Sequence, residues 1–379
     1  MTKRNKVGLI VHPKGVEQIT DYIGRQRAMQ NLGEKKFNEK LIAQLMRWCP
    51  AVKMIDFSMT SHADRQNTID GFCMNAAFLP EMIFTNYPLV LEKIEDALRA
   101  SEKAGACVAS LGAFTSIADG RQGENVSKVV TSMAVTNGST YTSAMVIETI
   151  RKMCVTLGID IGRANLAVIG ATGSIGRTVS RYFMGKTGKL TLTGRKKEKL
   201  DRYLGQYQDI YDNLVLAVDN NLAVADADLV VSVTNSIESI FKADAFKSGA
   251  VICDVGFPKN IAAACSHRDD ILVLSGGLAK LPDHIENLDV MGLPTTNICY
   301  GCLSEGILLG LEGRPDLCTV GLDDIPLENV DLLIEKGYEH GFDIAPFHND
   351  YKYYSDEDYD RIKNILEMPE RESVQGGVC

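Results

Sequence analysis

The stretch "ANLAVIGATGSIGRTVSRYF", residues 164–183, decides the fold of this chain. An apolar run leads into three glycines, Gly170, Gly173 and Gly176, and a segment with helical spacing follows them. The first glycine suits a tight turn, the second lets a pyrophosphate approach the backbone at a helix N-terminus, and the third lets helix and strand pack closely. Because a second apolar strand, "KLTLTGR", comes next, the stretch predicts a dinucleotide-binding βαβ unit.

Short apolar runs continue beyond this unit and end in small or polar residues: "ADLVVSVTN", "AVICDVGF" and "ILVLSGG". Such runs, separated by helical segments, are typical of a parallel sheet that is buried on both faces. The sequence therefore predicts an α/β protein with a doubly wound Rossmann domain over residues 136–280. Residues 1–135 mix strands and helices and are predicted to form an α/β substrate domain. Residues 281–379 are predicted to be mainly helical.

The end of the second strand indicates which dinucleotide binds. An NAD site usually places an acid there, but "LTLTGRKK" offers Thr193, Arg195 and Lys196 instead. A guanidinium can pair with a 2′-phosphate, so NADPH is favoured; in the alternative, these basic residues only begin a solvated helix. Ligands of doubly wound sheets bind beyond the carboxyl ends of the strands. The stretch from Gly256 to Pro258 lies at such an end and is therefore a further candidate part of the cofactor site. The predicted cofactor-binding residues are Gly170, Thr172, Gly173, Ser174, Ile175, Gly176, Thr193, Arg195, Lys196, Thr234 and Gly256.

Composition limits the function classes. The 379 residues carry a formal charge of −9 with 45% hydrophobic residues, which argues against a general nucleic-acid or anionic-membrane binder but leaves room for a local basic patch that docks one acidic partner. At most peripheral membrane contact is expected. No apolar run reaches the roughly 18–20 residues of a spanning helix. The start, "MTKRNKVGLIVHPKG", is too short in apolar residues for a signal peptide and predicts a first buried strand. We therefore expect a cytoplasmic protein whose ten cysteines are mostly reduced.

The stretch "CYGCLSEGILLGLEG", residues 299–313, places two cysteines at the beginning of a predicted helix. Cys299 and Cys302 are expected to share one helix face, and a thiol near a helix N-terminus can have a lowered pKa. Without a second Cys or His pair a zinc site is disfavoured, so no metal site is predicted, and a redox pair usually follows a strand of a βαβ unit. Two interpretations of the cysteines remain: both are structural thiols, or one is a nucleophilic thiol that lies beside a nicotinamide. A nucleophile could capture an acyl group as a thioester for reduction by hydride.

Several stretches together resemble the long-chain fatty acyl-[acyl-carrier-protein] reductases of cyanobacterial type, which make fatty aldehydes. The resemblance covers nearly the whole chain. It is carried by "GLIVHPKGVEQ", "FLPEM", "LGAFTSI", "VTNGSTYTSAMV", "TLGIDIGRANLAVIGATGSIGRTV", "LTGRKKEKL" and "GCLSEGILLGLEG". The segment between Cys49 and Phe78, the stretch from Lys280 to Asn297 and the tail after His348 depart from the family pattern.

The resemblance implies an acyl-accepting Cys302, with Cys299 as a neighbour. It implies an acyl-carrier protein or acyl-CoA as the substrate carrier, an aldehyde-consuming enzyme as a partner, and activity aided by Mg²⁺. The mechanism also needs donors for an oxyanion and an acid for the leaving thiol. The candidates are Thr115 and Ser116 for the oxyanion or substrate wall, and His12 and His284 as general acids.

Two other functions remain compatible with the sequence. A dehydrogenase of shikimate or methylene-tetrahydrofolate type would use the same cofactor motif without a covalent step, so Cys302 would be dispensable. A non-enzymatic NADP(H)-sensing module would bind the cofactor without turnover.

Overall fold

The computed structural model describes residues 4–33, 35–234, 241–256, 259, 261–288, 295–349 and 351–368. Its strands are β1 (Lys6–Val11), β2 (Val52–Thr60), β3 (Thr68–Asn75), β4 (Val108–Leu111), β5 (Ala134–Thr136), β6 (Asn165–Ile169), β7 (Lys189–Thr193), β8 (Leu214–Ala217), β9 (Leu229–Ser232), β10 (Val251–Asp254), β11 (Leu272–Ser275), β12 (Leu278–Lys280), β13 (Ile298–Tyr300) and β14 (Asp343–Ile344).

The α-helices are α1 (Val16–Met29), α2 (Glu39–Leu45), α3 (Met82–Thr85), α4 (Tyr87–Lys103), α5 (Phe114–Ile117), α6 (Ser139–Leu157), α7 (Ser174–Phe183), α8 (Lys197–Leu204), α9 (Asn220–Val224), α10 (Ile261–Ala264), α11 (Gly301–Glu312), α12 (Leu327–His340) and α13 (Asp356–Glu367). None of the helices in the described ranges is long and apolar enough to cross a membrane.

The chain forms two compact units rather than three consecutive regions. The first unit combines Met1–Ile147 with Gly277–Pro346, and the second combines Glu148–Gly276 with Phe347–Cys379. The predicted boundaries at 135 and 280 therefore need correction, because the segment after residue 280 does not form a region of its own. Its first part completes the first unit, and its last helix, α13, belongs to the second unit. Sequence order alone could not reveal this return of the chain.

The first unit is built on a five-stranded sheet with the order β2-β3-β1-β4-β5. The β2–β3 pair is antiparallel, whereas the other neighbours are parallel. A three-stranded antiparallel sheet, β13-β12-β14, belongs to the same unit and was not predicted for the C-terminal region. That region is otherwise mainly helical, as expected.

Helix α11 packs against the large sheet of the first unit because it carries glycines where the two elements approach closely. A Cβ on Gly306 would lie 2.7 Å from the Cβ of Ser110 in β4, and one on Gly310 would overlap Val7 of β1. A glycine costs about 1 kcal/mol relative to alanine inside a helix, so these positions indicate a packing requirement. Gly306 and Gly310 therefore let α11 and the sheet approach closely.

The second unit contains six parallel strands in the order β11-β10-β9-β6-β7-β8. The chain runs outward from β6 through β7 to β8, then crosses to β9 and continues in the other direction. This is the doubly wound order of a Rossmann fold, with a switch point between β6 and β9. The predicted fold class is therefore confirmed for this unit.

The charged tail contributes one helix to the second unit. Helix α13 begins with a capping box between Ser355 and Asp358. Arg361 donates to the carbonyl of Asp269 at 2.8 Å, and the hydroxyl of Tyr354 donates to the carbonyl of Val273 at 2.9 Å. These contacts attach the tail to the Rossmann sheet.

Candidate cofactor and thiol sites

The glycine loop between β6 and α7 has the geometry that its three glycines predict. Gly170 has φ +86°, a conformation that a residue with a side chain rarely adopts. A Cβ on Gly176 would overlap the carbonyl oxygen of Gly170, so this glycine lets the helix pack on the loop. Gly173 is exposed, and among the described residues a Cβ there would meet only the Gly170 oxygen, at 3.5 Å. The space beside Gly173 is therefore open to a ligand.

The first turn of α7 lies directly behind that open space. Gly173 is its N-cap, and Ser174 and Ile175 are its first two residues. The N–H groups of a first helical turn have no partner within the helix and carry a positive partial charge. The donors and the open glycine face fit a pyrophosphate group.

The end of β7 lies beside the tip of this loop. A Cβ on Gly194 would come within 3.0 Å of the Thr172 side chain. Thr193 is buried, and its hydroxyl donates to the Asn220 amide oxygen at 2.8 Å. Arg195 and Lys196 are exposed, and neither makes an ion pair within the described ranges. Arg195 is thus available to a phosphate, whereas the Thr193 hydroxyl is already engaged.

The switch point brings two further predicted residues together. Thr234 follows β9, and its methyl group would lie 3.1 Å from a Cβ on Gly170. A Cβ on Gly256 would overlap the Thr234 carbonyl oxygen. Asp254 accepts hydrogen bonds from the backbone N–H groups of Gly256 at 3.1 Å and Ile261 at 3.4 Å, which is a structural use of this carboxylate. Phe257 and Pro258, at the same strand end, lie outside the described residues.

Cys302 is the second residue of α11 and is partly exposed. The backbone N–H groups of Ala113, Leu303 and Cys302 itself act on its sulfur and favour the thiolate, which lowers the pKa. Burial opposes them and is the stronger effect, so the pKa of Cys302 is raised to about 11. The expectation that a helix N-terminus lowers this pKa is therefore wrong for the chain without ligands. The N–H groups are nevertheless in place around the thiol.

Cys299 does not share a helix face with Cys302. It lies in β13, where it pairs with Ala279 of β12, and it is fully buried. Helix α11 begins only at Gly301, because the backbone of Tyr300 is extended. Burial raises the pKa of Cys299 well above its usual range. The shared face was predicted from a helix that begins too early, and the structure gives the two thiols different environments.

The turn after β4 supplies one of the donors to Cys302. Ala113 has φ +49° and ψ −123°, a strained backbone conformation for a residue with a side chain. The hydroxyl of Thr115 donates to the Gly112 carbonyl at 2.8 Å, and that of Ser116 donates to the Ala113 carbonyl at 2.8 Å. Both predicted oxyanion candidates thus hold the turn in place, while the N–H of Ala113 faces the thiol. Sequence reasoning missed Ala113 because alanine gives no signal of strain.

Glu305 is a second residue that sequence reasoning missed. It follows Cys302 by three positions, is fully buried, and accepts a hydrogen bond from the N–H of Tyr141 at 2.7 Å and another from the Thr136 hydroxyl. Burial raises its pKa to about 7. Its negative charge in turn raises the pKa of Cys302. The available signal was an acid inside the otherwise apolar run "CLSEGILLGL".

His12 has a largely structural environment. It is buried, its ring stacks on Phe78 at 4.7 Å, and its Nε2 accepts a hydrogen bond from the N–H of Phe114 at 3.2 Å. Nδ1 therefore carries the proton and donates to the carbonyl of Pro13 at 2.9 Å. Burial lowers the pKa of His12 to about 4, so the ring is neutral at pH 7. This environment disfavours a general acid.

His284 is exposed, and its Nδ1 lies 2.6 Å from the hydroxyl oxygen of Thr296. It stays a predicted acid without further support. In the described part of the chain, no group of three or more His, Cys, Asp or Glu side chains is arranged to hold a metal ion. The expected aid from Mg²⁺ therefore has no supporting ligand cluster there.

Comparison of the sequence with known proteins gives two matches that bear on these sites. Residues 153–275 match the family model "Shikimate / quinate 5-dehydrogenase". The chain is 28% identical over 350 residues to a protein named long-chain acyl-[acyl-carrier-protein] reductase from Synechococcus elongatus, a match that spans 88% of this chain and 97% of the relative. The resemblance stated from the sequence motifs is thereby confirmed.

Two further matches are more distant. The chain is 26% identical over 353 residues to a protein named aminotransferase PigE from a Serratia species, of which it spans 40%. A shikimate dehydrogenase structure from Aquifex aeolicus overlaps 88% of this chain and 98% of its own, at 11% identity and a TM-score of 0.37. The family model and the reductase relative support an oxidoreductase with a nicotinamide cofactor.

Proposed function

We propose that this chain is an NADPH-dependent reductase that converts a long-chain acyl thioester to a fatty aldehyde through an acyl group on Cys302. One observation carries the proposal: the thiol at the beginning of α11 is partly exposed, and the backbone N–H groups of Leu303 in that helix and of Ala113 in the turn after β4 favour its thiolate. The same chain contains a Rossmann sheet with an open glycine loop. A noncovalent dehydrogenase has no use for such a thiol.

The cofactor would be held by residues of the second unit. The open face of Gly173 and the N–H groups of Ser174 and Ile175 suit the pyrophosphate, and exposed Arg195 suits the 2′-phosphate. When bound, NADPH supplies the hydride. The other predicted cofactor-binding residues stay part of this proposal: Gly170, Thr172, Gly176, Thr193, Lys196, Thr234 and Gly256.

In the first step, the sulfur of Cys302 loses its proton and attacks the carbonyl carbon of the acyl thioester. A new C–S bond forms, and the carbon–sulfur bond to the carrier breaks. The carrier leaves as a thiolate and takes up a proton, which leaves no net change in charge. Because the pKa of Cys302 is raised to about 11, the free thiol is mostly protonated at neutral pH. Attack therefore has to be coupled to loss of the proton.

In the second step, the acyl group on Cys302 is reduced and the carbonyl oxygen becomes negatively charged. A neutral thioester sulfur needs hydrogen-bond donors less than a thiolate does. The N–H groups of Ala113 and Leu303 would then be available to that oxygen. Collapse of the hemithioacetal breaks the C–S bond, releases aldehyde and returns the Cys302 thiolate.

The substrate class is taken from the relative whose name is long-chain acyl-[acyl-carrier-protein] reductase. We propose an acyl-carrier protein or CoA as the carrier and an aldehyde-consuming enzyme as a downstream partner. Glu305 acts in this scheme as a positioning residue, because it joins α11 to the first turn of α6 through Tyr141.

The test is an intact-mass measurement after incubation with palmitoyl-CoA in the absence of NADPH. The wild type should gain one acyl group and release one equivalent of CoA. Cys302→Ala should do neither and should form no aldehyde when NADPH is added. Cys299→Ala, the matched control on the neighbouring strand, should keep both abilities.

Three results would contradict the proposal in different ways. Aldehyde formation by Cys302→Ala would indicate a noncovalent dehydrogenase, which the family match over residues 153–275 also allows. NADPH binding without turnover would indicate a sensing module. Acyl mass on another thiol, located by peptide digestion, would leave the reaction class intact but overturn the choice of Cys302.

A further inference from the structure

Helix α2 has two apolar faces, and one of them is exposed. Leu41 and Leu45 are each 51% exposed and Trp48 is 85% exposed, at spacings of four and three residues that place them along one side of the helix and its last turn. The opposite side carries Met46, which is buried in the core of the first unit, and Ala43, which packs against it. Helix α2 thus has one apolar face toward the core and another that no part of the described chain covers.

The end of α1, the helix that precedes α2 in the chain, carries two further exposed apolar residues. Met29 is 61% exposed and Leu32 is 46% exposed, and helix α1 has no buried residue. Arg27 donates to the Gly33 carbonyl at 3.1 Å, which holds the connection between the two helices against α1. We call the set Met29, Leu32, Leu41, Leu45 and Trp48 the α1–α2 face.

The charges around the α1–α2 face oppose those of the chain as a whole. Residues 14–53 contain eight Lys or Arg and four Asp or Glu, a local charge of +4 in a chain of −9. Lys35, Lys36, Lys40 and Arg47 are exposed and make no ion pair within the described ranges. A partner for this surface therefore has to offer both negative charge and an apolar layer.

We propose that the α1–α2 face docks on an anionic lipid bilayer. Short helices with Leu and Trp on one side and Lys and Arg at the edges lie in the plane of a membrane interface. Tryptophan ring systems favour that depth, and basic side chains are attracted to anionic headgroups. An acidic protein surface would satisfy the charges but would leave the apolar side chains facing polar groups. A bilayer satisfies both requirements.

The chain contains a single tryptophan, Trp48, which reports directly on this face. The full-length protein is mixed with vesicles of phosphatidylcholine alone or with an equal part of phosphatidylglycerol. We expect sedimentation only with the anionic vesicles, a blue shift of Trp48 emission, and quenching by brominated acyl chains. Raising the salt concentration should weaken the binding, because the headgroup attraction is screened.

The double variant Leu41→Gln and Leu45→Gln should reduce vesicle binding about tenfold, since it removes apolar area from the interface. Both side chains are already exposed, so unfolding by heat should begin at the wild-type temperature. Ile210→Gln is the matched control, because Ile210 is 65% exposed in the second unit. Lys35→Glu with Lys36→Glu should also weaken binding.

No sedimentation with anionic vesicles would overturn the proposal, as would binding that leaves Trp48 emission unchanged. An equal loss in Ile210→Gln would place the contact elsewhere. Blue-shifted emission that depends on protein concentration without vesicles would assign the face to a second copy of this chain. Each outcome is independent of whether Cys302 accepts an acyl group.

Discussion

The carboxyl group of Glu305 accepts a hydrogen bond from the backbone N–H of Tyr141 at 2.7 Å. Tyr141 lies in the first turn of α6, where N–H groups have no helical partner and favour a negative charge. The bond joins α6 to α11 three residues after Cys302. The same hydrogen bond therefore stabilises the negative charge of Glu305 near the thiol and fixes the position of α11, which carries Cys302.

Glu305→Gln should lower the pH midpoint of Cys302 alkylation by iodoacetamide. The pKa of Glu305 is about 7, so the group is a carboxylate throughout the range in which Cys302 titrates, near 11. Removing the negative charge stabilises the thiolate, whereas the amide oxygen can still accept from Tyr141. The measurement is the alkylation rate from pH 7 to a pH above 11, so that the wild-type midpoint is covered, with the modified peptide identified by mass.

Glu328→Gln is the control for this experiment, because Glu328 is exposed in the first turn of α12. Its midpoint should equal that of the wild type. An unchanged or higher midpoint in Glu305→Gln would show that the carboxylate does not oppose ionisation of the thiol.

Arg195→Asp should weaken NADPH binding far more than NADH binding. A charge-assisted pair with the 2′-phosphate contributes roughly 1.5–3 kcal/mol, and NADH has no such group. Arg202→Asp makes the same charge change at an exposed position on α8 and should affect both cofactors little. Cofactor fluorescence titrations of the wild type and both variants measure the six affinities. Equal losses for both cofactors in Arg195→Asp would move the phosphate site elsewhere.

Gly173→Val and Gly176→Val should impair the protein in different ways: the first should lose cofactor affinity and the second should lose stability. The Gly173 side chain would enter open space, so the fold should persist while NADPH affinity is lost. The Gly176 side chain would overlap the Gly170 carbonyl. The protein itself should therefore lose on the order of several kcal/mol of stability, because overpacking forces the backbone to shift. Thermal unfolding and NADPH titration together separate the two effects. Wild-type affinity in Gly173→Val would exclude this loop from the cofactor site.

Ala113→Gly should raise the free energy of unfolding by about 1 kcal/mol. The strained conformation of Ala113 costs on the order of 1–3 kcal/mol, and the added freedom of glycine in the unfolded chain offsets part of the gain. Ala109→Gly in β4, where the backbone is an ordinary strand, should instead destabilise. Urea unfolding measures both. A loss of stability in Ala113→Gly as large as in Ala109→Gly would show that the turn is not strained.

The local features of this chain followed from the sequence by itself. The glycine loop, the parallel strands around it and the tail helix were predicted, because each depends on residues that are neighbours in the chain. The end of α11 likewise depends on a local signal, since Gly313 adopts the left-handed conformation, with φ +64°, that stops a helix.

Only the tertiary structure decided the surroundings of Cys302. Ala113 and Glu305 act on its sulfur from distant or inward-facing positions, and the Glu305–Tyr141 bond spans 164 residues of sequence. The pKa of Cys302 also depends on the tertiary structure. Burial raises it more than the N–H groups of the helix N-terminus lower it, and burial is a property of packing. A sequence pattern can place a thiol at the beginning of a helix, but the energy of its charge depends on which groups the rest of the chain brings to it.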